Sequence, residues 1–195
     1  MAGKKQFDVE EVLDAAMVQF WRAGYADTSV DDLSKATGLN RSSLYSSFGD
    51  KDALYLRCLN RYAARYGDRY DRALEGAAQE PLQAVRAFFE VTLRRIADPA
   101  VPDGCLVAQT VMTSPVLSPA VAARAGDVLG RQRARLRTAL SATELTESEA
   151  DDFAVHFSAV NQSLSVMSRS GASQDELRTA VDISVSALSY ALRDR

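Results

Sequence analysis

The 195-residue sequence is poor in the side chains that do metal and nucleophilic chemistry, with one histidine and two cysteines. A Cys/His zinc site needs converging ligands, and a disulfide framework needs several pairs. Hydrolytic or metal-assisted catalysis draws on clusters of His, Cys and carboxylates, so an enzyme, a metal and a cofactor are all unexpected. Two cysteines without a framework read as free thiols in a reducing compartment. Long apolar runs are also missing. No stretch approaches the ~18–20 residues that cross a bilayer. Residues 1–6 are basic, but Asp8, Glu10 and Glu11 follow where an export signal carries its apolar core. The expected location is the cytoplasm, with no membrane partner. Nor is there a dominant charge, since 23 basic residues stand against 26 acidic ones, a net of −3. That excludes a uniformly basic coat for nucleic acid and leaves room for a local contact surface.

Clean strand alternation is absent as well, and helical spacing replaces it. The expected fold class is all-α. Asp8 and Glu11 suit a helix N-terminus, with Phe7 and Val12 placed to close a hydrophobic staple. Val9, Leu13, Ala16, Met17 and Phe20 then recur on one face, and Gly24 stops the helix. Ser29 and Asp32 cap a short helix that runs to Ala36, and Asn40 caps another over 41–48. Asp50 caps a long helix to about Leu74, striped by Tyr55, Leu59, Tyr62, Tyr66 and Tyr70, which reads as core. A further helix starts at Pro81. Residues 98–119 hold four of the five prolines and predict loop and short helix. A helix over 120–140 follows, then two long ones opened by Thr146/Glu149 and Ser173/Glu176.

Residues 29–48 combine two short capped helices with a glycine turn, the geometry of a helix-turn-helix. Val30, Leu33, Ala36, Leu39 and Leu44 are expected to point inward and lock the pair. The second helix then shows Asn40, Arg41, Ser42, Ser43, Tyr45, Ser46 and Ser47. Small polar side chains let a helix enter the major groove, which is ~12 Å wide. Arg41 suits a guanine edge or a phosphate, Ser42 and Ser43 allow close backbone approach, and the Tyr45 hydroxyl suits a phosphate. All four lysines lie in the first 51 residues, yet residues 1–60 carry seven basic groups against nine acidic. Contact with DNA must therefore be local. The helix starts at Thr28–Ser29 and Asp50–Lys51 can add backbone N–H groups for phosphate.

Residues 8–56 resemble the DNA-binding domain of the TetR family of bacterial transcription regulators. The resemblance rests on Gly24–Tyr25, Thr28–Ser29, the turn at Thr37–Gly38, then Leu44, Tyr45, Phe48, Lys51 and Leu54 in order. Thr37 stands where the family usually has Ala. Ser46 stands where a basic or aromatic residue is common, and Ser47 where His or Tyr is, which shifts the burden of contact to Arg41 and Lys51. Gly104–Cys105–Leu106 is similar to one subgroup of the family's C-terminal domains. The resemblance implies a helix-turn-helix domain over 1–50, a linking helix over about 51–75, and a ligand-binding and dimerisation domain over 76–195. It also implies a homodimer, a palindromic double-stranded operator and a small-molecule effector that releases it.

The residues support the dimer independently. Val155, Ala159 and Val166 lie off the Phe153–Phe157–Val160–Leu164 stripe, so that helix is apolar on two sides and needs a second partner. A pocket is expected among residues 82–167, lined by Phe88, Phe89, Thr92, Leu106, Gln109, Thr110, Met112, Phe157 and Asn161. His156 reads as a surface or hydrogen-bonded structural residue. Arg131, Arg133, Arg135 and Arg137 point around their helix and read as solvated. Cys105, at an expected helix start, is the one candidate sensor of oxidants or electrophiles, with Asp103 opposing thiolate formation. The alternatives to an effector-released repressor are a regulator acting through Cys105 and a helical small-molecule carrier with no DNA role.

Overall fold

A computed structural model describes residues 7–76 and 80–193. Lys4, Lys5 and most of the boundary expected at 76–80 lie outside them. Nine α-helices and one 3-10 turn, with no strand, make up the described residues: α1 Val9–Ala23, α2 Val30–Thr37, α3 Arg41–Phe48, α4 Lys51–Glu75, α5 Pro81–Ala97, α6 Leu106–Met112, the turn Ser114–Val116, α7 Pro119–Leu140, α8 Glu147–Arg169 and α9 Gln174–Arg193. No described helix is long and apolar enough to cross a membrane.

Caps set most of the helix starts. Ser29 and Asp32 form a reciprocal capping box on α2, as do Thr146 and Glu149 on α8. Ser173 and Glu176 make the same exchange before α9. On α1 the box is half made: Asp8 accepts from Glu10 and Glu11 N–H, with no return bond from the Glu11 side chain. Each cap satisfies N–H groups that the helix leaves orphaned, and stabilises it by about 1 kcal/mol.

The first three helices gather around α4. Val12, Leu13, Ala16, Met17, Phe20 and Trp21 bury one face of α1 against Leu54, Tyr55, Cys58, Leu59 and Tyr62 of α4. The expected inward set of the helix-turn-helix holds for Leu33 and Leu44, and Val30 and Leu39 are half-buried. Ala36 is exposed and so is Val9, each on the solvent side of its helix. Phe7 packs on the core beside Phe48, ring centroids 6.3 Å apart. Arg61 holds Asp14 at 2.7 Å and also pairs with Glu10, and Arg65 shares Asp14, so charge reinforces the α1–α4 contact.

Beyond α4, helices α5, α7, α8 and α9 pack side by side, α7 on α8 and α5 on α9. Phe88, Phe89 and Phe157 fill their centre with edge-on rings 5.6 and 5.8 Å apart. The outer surface of α8 and α9 stays apolar: Val155, Val166, Ile183 and Tyr190 are 51–67% exposed. Ala159 is exposed on the same helix. Leu188, by contrast, is fully buried inside the subunit.

Candidate nucleic-acid interface and interior cavities

The turn between α2 and α3 depends on Gly38, whose φ of 69° lies in the left-handed region. Asn40 then caps α3 by accepting the Ser43 N–H at 2.8 Å. With Leu44 and Phe48 anchored in the core, Arg41, Ser42, Tyr45 and Ser46 face solvent, and Ser43 and Ser47 are half-buried. The Arg41 guanidinium lies over the Tyr45 ring, 5.5 Å from its centroid. That stacking limits the freedom of the one long cationic side chain on α3.

Lys51, at the start of α4, places its ammonium 4.3 Å above the Tyr25 ring. Partial burial lowers its pKa. Tyr25 donates to the Asp52 carboxylate, and burial together with that bond holds the phenol well above its ordinary pKa. Asp52 is held below the usual carboxylate range by hydrogen bonds from Ser118 and Tyr25. Tyr25, Asp52 and the cap residue of α7 therefore form one joint between the helix-turn-helix and the helices behind it.

Of the residues expected to touch DNA, Ser29, Asn40, Arg41, Ser42, Tyr45 and Ser46 share the exposed surface, with Ser43 and Lys51 partly covered. Ser29 and Asn40 are engaged as caps. Thr28 is a correction: it is fully buried and its hydroxyl donates to the Gly24 carbonyl at 2.6 Å. It closes the turn after α1 and presents nothing to a phosphate.

The interior differs more from expectation. Phe88, Phe89, Leu106 and Phe157 are fully buried, and the three phenylalanines pack against one another as core. Thr110 bonds the Tyr55 hydroxyl at 2.7 Å, and Thr92 links Tyr70 to Asn161 at 2.7 and 2.6 Å. Gln109 sits against Gly24, and its Oε1 is buried without a partner. Met112 is a correction, being 73% exposed on the outer side of α6.

Open space lies elsewhere. A cavity of about 40 Å³ is lined by Tyr62, Tyr66, Tyr70, Arg95, Cys105, Gln132, Asn161 and Ser165, among others. A larger apolar groove of about 550 Å³ runs between the end of α4, the start of α5 and α7, along Leu74, Pro81, Ala84, Val85, Ala134 and Leu140. Asn161 and Cys105 alone of the expected interior residues reach the cavity. Arg95, which the sequence reading passed over, is 3% exposed and lies over the rings of Trp21 and Tyr66. Its signal was a charge placed one residue short of Ile96, inside the apolar stripe of α5. Arg135 is not simply solvated either, because it grips Asp71 with two bonds of 2.5 and 2.9 Å. His156 lies at the surface, its Nε2 3.2 Å from Ser184 Oγ. Among the described residues no cluster of His, Cys, Asp and Glu is placed to hold a metal ion.

A glycine-turned helix pair with an exposed, small-residue second helix, mounted on a long helix that runs into a helical body, is the build of a DNA-binding regulator. Comparison with known proteins narrows this. Residues 12–58 match the family described as bacterial regulatory proteins, tetR family, and residues 81–186 match the tetracyclin repressor-like C-terminal domain. The chain belongs to the TetR family.

Among its relatives, the HTH-type transcriptional repressor ComR of Escherichia coli K12 is 30% identical over 131 residues, 67% of this chain. That match spans 59% of ComR's own length. The HTH-type transcriptional regulator YezE of Bacillus subtilis 168 is 28% identical over 96% of this chain and all of its own. Among solved structures, a cysteine mutant of the TetR family regulator CifR, complexed with 26 bp of double-strand operator DNA, superposes with a TM-score of 0.83. It is 25% identical, with 94% of this chain and 97% of that chain covered.

Proposed function

We propose that the protein is a cytoplasmic transcriptional repressor that binds a palindromic operator as a homodimer and is released by a small-molecule effector. In this reading residues 1–50 read DNA, the helix over 51–75 transmits, and 76–195 bind effector and partner. The observation that carries it is the outward face of α3, with Arg41 stacked on Tyr45 beside small serines. Arg41 meets base edges from the start of the recognition helix, and Tyr45 and Lys51 meet phosphates. The operator complex of CifR, a protein of the same fold, supports DNA as the partner. A regulator needs no catalytic constellation, which fits a chain so poor in catalytic side chains.

The exposed stripe of Val155, Val166, Ile183 and Tyr190 supplies the dimer face. Two heads related by a two-fold axis read half-sites about 34–36 Å apart, or a multiple of that. Band-shift titration of wild type and Arg41→Ala against the DNA upstream of the gene tests the reading. The variant should lose discrimination against scrambled DNA, about 1–3 kcal/mol per bidentate contact. Equal binding by both proteins to both DNAs would overturn it.

A second reading, release through Cys105, draws on one observation: the thiol lines the cavity and accepts the Tyr62 hydroxyl at 3.3 Å. If it holds, peroxide or an electrophile abolishes operator binding in wild type and leaves Cys105→Ser unaffected.

A further inference from the structure

Arg95 is a charged group deep inside the molecule. A guanidinium keeps its charge at every accessible pH, and burying it without an opposite charge is costly. Arg95 is nine-tenths and more buried, yet among the described residues no carboxylate pairs with it. It donates to the Gly104 carbonyl and, at 3.0 Å, to Ser165 Oγ. Five N–H groups radiate from a guanidinium, so about three remain for another acceptor. Trp21 and Tyr66 cover it with their rings, which favour the cation without accepting its N–H groups. The remaining neighbour is the cavity it shares with Gln132, whose Oε1 is buried and unpartnered. Turning that amide offers an N–H to the same space.

We propose that this cavity is the binding site of a small carboxylate anion, with its head on the Arg95 guanidinium. The size sets the class. A water needs about 10–15 Å³ of such space, so a cavity of about 40 Å³ takes a carboxylate of two or three carbons. Tyrosine rings wall the short apolar tail. The site also has a route to the DNA-reading head. Gly104, which accepts from Arg95, adjoins Asp103, whose carbonyl accepts the Trp21 indole N–H at 3.1 Å and Arg169 Nε at 3.3 Å. Arg169 also donates to the Trp21 carbonyl at 3.1 Å. An anion that draws Arg95 into the cavity loosens its hold on Gly104, and the loop that holds α1 moves with it. This deepens the effector reading above and rests on it for its consequence, not for binding.

Trp21 is the single tryptophan, 5.7 Å from the Arg95 guanidinium, so its emission reports occupancy directly. The full chain is titrated with acetate and propionate, and with acetamide and propionamide, at constant ionic strength. A saturable change with the carboxylates and none with the amides is expected. Arg95→Gln should abolish it, and Arg94→Gln, at the exposed position beside it on α5, should keep it. Should Arg95→Gln fail to melt cooperatively, Gln132→Glu serves, because it places a competing carboxylate in the cavity at a half-exposed position. It should weaken acetate binding about tenfold or more. No saturable response in wild type, an equal response to the amides, or full affinity in Gln132→Glu overturns the proposal. Acetate binding without any change in operator affinity leaves the site standing and removes the effector reading instead.

Discussion

Single residues carry the chemistry of this chain through their surroundings. Lys51 and Arg41 are both cations beside tyrosine rings, yet the tasks proposed for them differ, because Arg41 stands on α3, the proposed recognition helix, and Lys51 on the next one. Lys51→Ala should weaken binding to all DNA alike and lower the slope of log affinity against log salt by about 0.9, since one fewer counterion is released. A salt titration on specific and scrambled duplexes reads both effects. Tyr55 gives a pH test. Burial pushes its phenol up to about 12 from the usual 10, against a smaller opposing pull from its Thr110 bond. The native state therefore favours the protonated form. Its contribution is complete below pH about 10 and is lost as pH rises through about 12. Tyr55→Phe should start less stable by about 1 kcal/mol for the lost bond, and should lose less stability over that window in urea melts.

At the scale of elements, the sequence announced the helices through their caps and glycines, because those signals act within one turn of chain. Ser29, Asn40, Asp50 and Thr146 all cap as their residue types require. The helix-turn-helix was legible for the same reason, and the resemblance at 8–56 sharpened it. Gly38 exposes the local rule most cleanly. A Cβ there meets nothing within 4 Å, so Gly38→Ala should destabilise by backbone strain alone, about 1–2 kcal/mol, in a thermal or urea melt. Gly104 is different: it has φ of 82° and its Cβ would come within 2.8 Å of Arg169 Cδ. Thr28 and Met112 depart from expectation for local reasons, and Arg95, which the sequence reading passed over, is placed by a distant one. Thr28 turns inward over a tight turn, Met112 ends a helix of seven residues, and Arg95 is buried by Trp21, 74 residues earlier. Most of the expected pocket lining is core instead, since Phe88 and Phe89 of α5 and Phe157 of α8 pack against one another and fill the space between their helices.

At the scale of the whole molecule, the helix-turn-helix end is joined through the Tyr25–Asp52 contact to a helical body with an apolar outer face on α8 and α9. The face has a direct check. Ile183→Glu, at a position 67% exposed, should give a folded monomer by sedimentation, with operator binding lost. Leu188 is unsuited to that test because a charge there disrupts the subunit's own core. The central claim is that α3 of each subunit reads one half of a two-fold DNA site. Selection of bound duplexes from a random-sequence pool, run in parallel with wild type and Arg41→Ala, tests it most directly. Wild type should enrich an inverted repeat whose half-site centres lie about one helical turn apart or a multiple of it, and Arg41→Ala a weaker, more degenerate one. Recovery of no repeated motif by wild type, or of the same motif equally well by the variant, contradicts it.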